Sequence, residues 1–291
     1  MRIICWWSGG ITSAVACKIA IDLFGHRHCD VIMIDTHNED DDTYRFKKDC
    51  EKWYKLPITS ITRIGGKYPD IQSVWESYQS LNVASGAICS TVLKREIRQS
   101  WQKNNPEYTH QIFGFEFDKK EFNRALSMYM NHPDSKPIFP LLMMGYDKKK
   151  CLSLLIEAGI NPPVVYAYGF KNNNCFKTGC VQGGVGYWKK MQRDFPDKFG
   201  KMADMEHKLT DKKGTPVTML KDQSKEAKAK TESNKFANLV FLRPHPNYPE
   251  LKSIDDMKDR GVEPLMECNG FCGINDLNSP SQTQFELNFE E

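Results

Sequence analysis

The sequence has no long hydrophobic run. Hydrophobic residues make up 40% of the 291 positions, yet none of their runs approaches the roughly 20 residues that cross a bilayer. Residues 1–7 are too few, and Gly9 and Gly10 interrupt them too soon, for a secretory signal peptide. We therefore expect a soluble, cytoplasmic protein that does not associate with membranes.

Charge of one sign is also scarce over the chain as a whole. The 40 Lys and Arg residues nearly balance the 37 Asp and Glu residues, and the formal net charge is +3. This balance excludes a general electrostatic attraction to nucleic acid. The exception is residues 198–235, which contain ten lysines and form either a solvated, partly flexible segment or a surface that contacts a phosphate backbone.

Alternating apolar runs and amphipathic segments predict an α/β fold. Residues 3–7 and 30–35 are short apolar strands, and the helix predicted between them ends at Gly25. Two buried strands around a helix form a βαβ unit, which requires a parallel sheet covered on both faces. Further elements are predicted as a helix at residues 43–56 and strands at residues 58–64 and 110–116. We expect an open parallel sheet with helices on both faces.

The composition changes near residue 195. Asn, Gly and Cys crowd residues 169–187, and a Lys-rich region follows them. We therefore predict a first domain over residues 1–195. Residues 196–291 form a small Lys-rich helical or loop region that ends in a cysteine knuckle.

The first predicted strand ends in Ser8, Gly9 and Gly10, and the hydroxyl residues Thr12 and Ser13 follow at the start of the helix. A helix presents unpaired N–H groups and the positive end of its dipole to such a loop, so anions bind there. The glycines allow close backbone approach, and the hydroxyls add donors. Neither a Gly-Lys-Ser/Thr ending nor a G-x-G-x-x-G pattern is present, which excludes a Walker loop and a dinucleotide fingerprint. The loop predicts a phosphate cradle, with a structural tight turn as the alternative.

Cysteine is plentiful, with ten residues. A cytoplasmic protein does not keep a disulfide framework, so closely spaced cysteines are candidates for metal or sulfur chemistry. Four residues separate Cys175 from Cys180, and three separate Cys268 from Cys272. Such short Gly-containing loops can turn thiolates toward one Zn²⁺ ion or iron–sulfur cluster, although reduced, half-buried thiols are the alternative. The remaining cysteines outside these pairs are predicted to be core or surface thiols at positions 5, 17, 29, 50 and 151.

Five segments resemble one family, in the same order along the chain. The run SGGITS at residues 8–13 is similar to the Ser-Gly-Gly-x-Asp-Ser pyrophosphate loop of the PP-loop superfamily, the adenine nucleotide alpha hydrolases. The other four resemble segments of phosphoadenosine phosphosulfate (PAPS) reductases, and they are VIMIDTHNEDDDTYRF, CSTVLKREI, GFEFDKKEFNRA and VVYAYGFKNNNCFKTGC. The resemblance covers about residues 3–190 and implies an adenine nucleotide alpha hydrolase-like fold.

The resemblance also implies where an adenine nucleotide, either ATP or a PAPS-like molecule, would bind. Its phosphates would lie on residues 8–13 and its adenine near the end of the second strand. The nucleotide-binding residues implied in this way are Ser8, Gly9, Gly10, Thr12, Ser13, Ile34 and Thr36.

Three further residues are implied to act on the bound nucleotide. Lys94 and Arg124 would face the phosphates or a sulfate, with surface salt bridges as the alternative for both. Asp35 would hold a ribose hydroxyl or Mg²⁺, unless it serves as the N-cap of the following helix.

Members of the family also extend the set of candidate cysteines. The counterpart of Cys89 helps to bind an iron–sulfur cluster in the adenosine phosphosulfate reductases and in the DNA phosphorothioation enzymes. Family reductases use a mobile C-terminal cysteine, so Cys268 or Cys272 is alternatively a redox nucleophile. The candidate metal or cluster ligands are Cys89, Cys175, Cys180, Cys268 and Cys272.

Two residues depart from the family pattern. Thr12 replaces the loop aspartate, and Glu116 stands where the reductases have an arginine. Because an acid disfavours a neighbouring sulfate, we expect an enzyme that opens ATP at the α-phosphate, releases pyrophosphate and supports sulfur transfer to or from a second substrate. The alternatives are a true PAPS reductase that releases sulfite, and a non-catalytic module that senses a nucleotide or associates with nucleic acid.

Overall fold

A parallel β-sheet forms the centre of the protein. The computed structural model describes residues 1–83 and 86–265. In chain order the strands are β1 (Arg2–Trp6), β2 (Cys29–Ile34), β3 (Ile58–Ile61), β4 (Asn82–Val83), β5 (Gly86–Ala87), β6 (Tyr108–Ile112), β7 (Pro137–Ile138), β8 (Leu220–Lys221), β9 (Leu239–Phe241) and β10 (Lys252–Ser253). Five of them form the central sheet in the order β3-β2-β1-β6-β7, and every neighbouring pair is parallel.

Helices connect the strands. They are α1 (Ile11–Phe24), α2 (Asp41–Tyr54), α3 (Ile71–Tyr78), α4 (Ile88–Ser90), α5 (Glu96–Asn104), α6 (Lys119–Asn131), α7 (Pro140–Met144), α8 (Lys148–Glu157), α9 (Val164–Ala167), α10 (Val185–Asp194), α11 (Pro196–Lys213) and α12 (Lys225–Lys230). A π-helical turn at Thr91–Arg95 joins α4 to α5. Among the described residues, no helix is both long and apolar enough to cross a membrane.

Successive residues of β1 pack in two different hydrophobic cores, one on each face of the sheet. Ile3 and Cys5 pack with the buried face of α1 and with Leu155 of α8. Ile4 and Trp6 pack on the opposite face of the sheet, against a cluster that includes residues of α6. Because successive side chains of a strand point to opposite faces, this arrangement buries the central strand on both sides. The predicted open parallel sheet with helices on both faces is therefore confirmed.

Strand β7 was not expected from the sequence. It contains two residues, begins with Pro137, and pairs in parallel with Gln111 and Ile112 at the edge of the sheet. A strand of two residues is too short to show an alternation of apolar and polar residues. Proline is tolerated at the edge of a sheet because its missing N–H is not needed there for a hydrogen bond.

The eight cysteines in the described ranges are all buried. Cys5, Cys17 and Cys29 meet between β1, α1 and β2, where the pKa of Cys5 is raised by hydrogen bonding to Cys17 and by burial. A raised pKa keeps a thiol protonated and unreactive. The prediction that these three are core thiols is confirmed, as it is for Cys50 and Cys151.

The later part of the chain builds a third core. Helices α10 and α11 pack on each other, and a small sheet of order β10-β9-β8 contributes buried residues such as Val240. Residues from α3 and from the 175–188 segment belong to the same core. The boundary near residue 195 stays a prediction.

A buried carboxylate connects α11 to the small sheet. Glu206 is fully buried, and its two oxygens accept hydrogen bonds from the N–H groups of Met219 and Leu242, each at 2.7 Å. Burial raises the pKa of Glu206 to about 8, although the two backbone bonds oppose the shift. The carboxyl group therefore joins α11 to the segments that contain Met219 and Leu242. When it ionises, its negative charge is buried away from water, which is unfavourable.

We expect Glu206→Gln to destabilise the protein more at pH 5 than at pH 8. The amide NH₂ faces one of the two N–H donors, so about 1–3 kcal/mol should be lost at pH 5. The wild-type carboxyl group favours folding below the pKa of an unfolded glutamate, and this contribution is lost as the pH rises through about 8. The contribution of a glutamine side chain to stability does not depend on pH in this range. Urea unfolding of both proteins at the two pH values measures the difference, and an equal deficit at both would contradict the raised pKa.

Candidate functional site

The strand order reverses between β1 and β6. Connections from β1 lead to β2 and β3 on one side, whereas β6 and β7 lie on the other side. In open α/β sheets, ligands bind outside the carboxyl ends of the strands at such a switch point. Residues 7–10 after β1 and residues 113–118 after β6 meet there.

The loop after β1 is braced by its own hydroxyl groups. The Ser13 hydroxyl accepts from Ser8 N at 3.1 Å and from Ser8 Oγ at 2.9 Å, and it donates to Gly10 O at 3.0 Å. Gly10 is the N-cap of α1, whose first turn contains no acidic residue. Thr12 and Ser13 are buried. The loop is thereby fixed in front of the positive end of the α1 dipole.

Gly9 lies in a tight, left-handed stretch of this loop. Its φ is +85°, and a Cβ there would lie 2.9 Å from Cγ2 of Thr43 on α2. The Asn173 side chain donates to Gly9 O at 2.9 Å and to the Thr43 hydroxyl at 3.0 Å. Asn173 thus joins the loop to α2, a role that the run Asn172–Asn174 did not reveal in the sequence.

The loop after β6 presses against the start of α1. A Cβ at Gly114 would lie 2.5 Å from Ser13 Cα and 2.6 Å from Ser13 N. Since both atoms belong to the backbone, neither can rotate away, and only glycine fits at this position.

Asp35 and Thr36 follow β2 at the same edge. The Asp35 carboxylate is buried and accepts through Oδ1 from His37 N at 2.7 Å and from the Tyr44 hydroxyl at 3.0 Å. The N-cap of α2 is Asp40, whose side chain accepts from Asp42 N. The alternative in which Asp35 caps that helix is therefore wrong, because five residues separate Asp35 from the first turn.

Lys94 reaches the same edge from the π-helical turn. Its ammonium lies 3.6 Å from Glu39 Oε1, and both side chains are buried, with exposed fractions of 7% and 4%. The Thr36 hydroxyl donates to the same oxygen at 2.9 Å. Glu39 is a functional candidate that the sequence analysis missed, because it lies in the acidic run of residues 39–42 and only the fold distinguishes it from exposed neighbours such as Asp41.

Arg124 on α6 is also buried. Its Nη1 donates to both carboxylate oxygens of Glu121, each at 3.2 Å, and its guanidinium stacks 4.4 Å from the centre of the Phe115 ring. Glu116 forms an ion pair with Lys148 at 3.5 Å. The negative charge at position 116 is thus partly compensated within the chain.

The segment with Cys175 and Cys180 is held against the loop after β2. The Asn38 carbonyl accepts from Phe176 N at 2.9 Å and from Lys177 N at 3.1 Å. Cys175 Sγ lies 3.7 Å from the Thr36 hydroxyl, which brings this thiol to the edge described above.

The three described candidate cysteines Cys89, Cys175 and Cys180 belong to one buried cluster. The pKa of the Tyr187 hydroxyl is raised by burial and by the proximity of Cys180 and Cys175. Over residues 1–83 and 86–265, no group of three or more His, Cys, Asp or Glu side chains is arranged to hold a metal ion. Cys268 and Cys272, the other two predicted ligands, lie outside the described residues.

A second helix start, at α10, already holds an anion from the chain. The Glu263 carboxylate accepts from Gly186 N at 3.2 Å and from Tyr187 N at 3.1 Å. A Cβ at Gly184 would lie 2.8 Å from the carboxylate carbon. The Glu263 carboxylate therefore pairs with the amides at the start of α10. At the start of α1 no carboxylate belongs to the first turn, and Ile11 N donates to the Tyr166 hydroxyl at 3.3 Å.

Comparison with known proteins supports the sequence resemblance. Residues 2–109 match the family model for the phosphoadenosine phosphosulfate reductase domain. The match includes the first three of the five segments named above, so the resemblance is confirmed for that part of the chain. No curated protein matches the sequence.

The solved structures that are similar to this chain include a reductase and a thiolase. PAPS reductase from Candida auris, in a phosphate complex, is 16% identical with a TM-score of 0.45, over 60% of this chain and 82% of that one. The U34-tRNA thiolase NcsA from Methanococcus maripaludis, with its 4Fe-4S cluster, is 13% identical with a TM-score of 0.42, over 72% of each chain.

We expect Gly114→Ala to lower the free energy of unfolding by about 1–3 kcal/mol, because the new methyl group overlaps the backbone of Ser13. Gly200→Ala in α11 is the matched control, since its Cβ would meet open space. Replacing a helical glycine by alanine should stabilise the protein by up to about 1 kcal/mol. Denaturant unfolding of both variants measures these values. A Gly114→Ala protein as stable as the wild type would show that the two loops can separate at little cost.

Proposed function

We propose that the protein is a PAPS reductase-like enzyme that binds the phosphates of an adenine nucleotide on residues 8–13 and cleaves the nucleotide at its α-phosphate. The observation that carries this proposal is the braced glycine loop, which lies in front of the α1 N-terminus at the switch point of the sheet. The family match over residues 2–109 supports it, because members of that family act on adenine nucleotides.

The proposed chemistry depends on positioning and electrostatics. An oxygen of the second substrate would attack the α-phosphorus and take the adenylyl group while the bond to pyrophosphate breaks. Fixed N–H donors with Lys94 would stabilise the negative charge that develops on the departing pyrophosphate. A bound Mg²⁺ would neutralise phosphate charge. We assign Asp35 to hold either this ion or a ribose hydroxyl, and Ile34 and Thr36 to line the adenine.

ATP is the nucleotide that we favour. Compared with the family pattern, Thr12 stands in place of an aspartate of the loop. Glu116 stands in place of an arginine at the position assigned to the sulfate. The ion pair of Glu116 with Lys148 nevertheless reduces the cost of an acid near a sulfate. Reduction of PAPS to sulfite is therefore the second candidate function, and Arg124 would contact the terminal group in either reaction.

We also propose that Cys175 and Cys180 bind a metal ion or an iron–sulfur cluster, and that either Cys89 or the pair Cys268 and Cys272 completes the site. Cys175 and Cys180 both lie near the buried Tyr187 hydroxyl, and paired thiolates are typical ligands of Zn²⁺ or of a cluster. Cys175 lies beside Thr36, so a bound cluster would adjoin the nucleotide and could deliver sulfur to an activated acceptor.

We expect ATP with Mg²⁺ to yield pyrophosphate, and Gly9→Ala to reduce ATP affinity about tenfold or more. The new Cβ would press on Thr43 at a residue with positive φ, at a cost of about 1–3 kcal/mol. Gly25→Ala is the matched control, since Gly25 has φ +86° at the other end of α1 with nothing near its Cβ. Equal ATP affinity in both variants would contradict the proposed site.

Product analysis separates the candidate reactions. Sulfite from PAPS and a thiol donor, without pyrophosphate from ATP, would favour the reductase. Nucleotide binding without either product would favour the non-catalytic module, for which the lysines of residues 198–235 offer a nucleic-acid surface.

We expect anaerobically purified protein to contain iron with sulfide, or zinc, and Cys175→Ser to lose most of that metal. Cys151→Ser is the matched control, because Cys151 is a fully buried thiol in a different core. Elemental analysis and visible absorption measure the metal in each variant. A wild-type protein free of metal, or equal loss from both variants, would contradict the assignment.

A further inference from the structure

Glu39 and Lys94 form a buried ion pair beside the proposed nucleotide site. Their charged groups are 3.6 Å apart, and each side chain has less than a tenth of its surface exposed. Separating such a pair is costly, because the charge that remains is desolvated and uncompensated. The state of Glu39 therefore depends on where the Lys94 ammonium lies.

The surroundings of Glu39 make its negative charge depend on Lys94. Its oxygens accept from the Thr36 hydroxyl at 2.9 Å and from Asn38 N at 3.1 Å, both of which are neutral donors. The charged and titratable groups that influence it are Lys94 from the π-helical turn, Asp35 from the end of β2 and Tyr44 from α2. Burial raises the pKa of Glu39, Lys94 opposes the rise, and Asp35 adds to it.

We propose that Glu39 takes up one proton when a nucleotide phosphate binds Lys94. This inference rests on the proposed function, in which Lys94 contacts the phosphates. A phosphate that draws the ammonium away leaves the Glu39 carboxylate buried near a second anion and near Asp35. Protonation removes that charge, and the proton comes from the buffer and ends on a Glu39 oxygen. Glu39 is thus a positioning residue that holds Lys94 at the site until an anion replaces it.

Two consequences follow from this coupling. ATP affinity should decrease as the pH rises, by up to about tenfold per pH unit while the exchange involves one proton. Adenosine carries no phosphate and should bind without the proton uptake, because it leaves the Glu39–Lys94 pair intact.

Isothermal titration calorimetry at pH 7.5 in Tris and in HEPES measures the coupling, since the two buffers differ in ionisation enthalpy. We expect wild-type protein to take up about one proton per bound ATP and almost none per bound adenosine. Glu39→Gln keeps the shape of the side chain and should abolish the uptake on binding ATP. Lys94→Met should abolish it as well, because Glu39 is then protonated before ATP arrives. Glu232→Gln, an exposed acid in the Lys-rich segment, is the control and should behave as the wild type.

The outcomes separate this inference from the proposed function. ATP binding with equal proton uptake in the wild type and in Glu39→Gln overturns the role of Glu39 and leaves the nucleotide site in place. Equal uptake for ATP and adenosine in the wild type also overturns it, and this comparison needs no folded variant. Folded wild-type protein that binds neither ligand overturns both proposals.

Discussion

The backbone N–H groups at the start of α1, of which Ile11 N donates to the Tyr166 hydroxyl at 3.3 Å, are the constraint around which the carboxyl edge of the sheet is organised. A helix of fourteen residues begins at a glycine, so no side chain of its N-cap can accept from them. Three loops converge on that point. The loop after β1 is tied by the Ser13 hydroxyl, the loop after β6 approaches Ser13 at Gly114, and Asn173 fixes Gly9 to α2. The amides are therefore rigid donors, which is the condition for electrostatic stabilisation of an anion without reorganisation.

Charge near this edge is compensated within the chain. Lys94 lies against Glu39, Arg124 against Glu121, and Glu116 against Lys148. Buried charges are rarely tolerated without partners, and the first two of these pairs keep buried charges compensated within the chain.

The sequence predicted the parts of the fold that depend on local pattern. The first two strands, the helix between them and the glycine loop were predicted because their apolar runs and turn residues follow one another directly within residues 2–34. Lys94 and Arg124 entered through a family resemblance, and the ion pair of Lys94 with Glu39 followed from no local pattern. Glu121 lies three positions before Arg124 on one helix, so that ion pair could have been predicted from spacing.

Other parts of the site required the fold. Glu39 and Asn173 act through contacts that bridge more than fifty and more than one hundred residues. Strand β7 is too short to show a period. The pair Cys175 and Cys180 was recognised from its spacing. The closeness of Cys175 to Thr36 accompanies the hydrogen bonds of Phe176 N and Lys177 N to the Asn38 carbonyl, which no sequence pattern predicts.

The carboxylate of Glu263 on the amides at the start of α10 has a consequence for the order in which the protein is made. Those amides cannot meet Glu263 until the ribosome has added nearly all of the described chain. The same holds for the core that contains residues of α3 together with Met257. Domains generally fold as units while synthesis proceeds from the N-terminus. The central parallel sheet can form early, whereas the surroundings of Cys175 and Cys180 are completed last, so any metal or sulfur would enter a nearly complete protein.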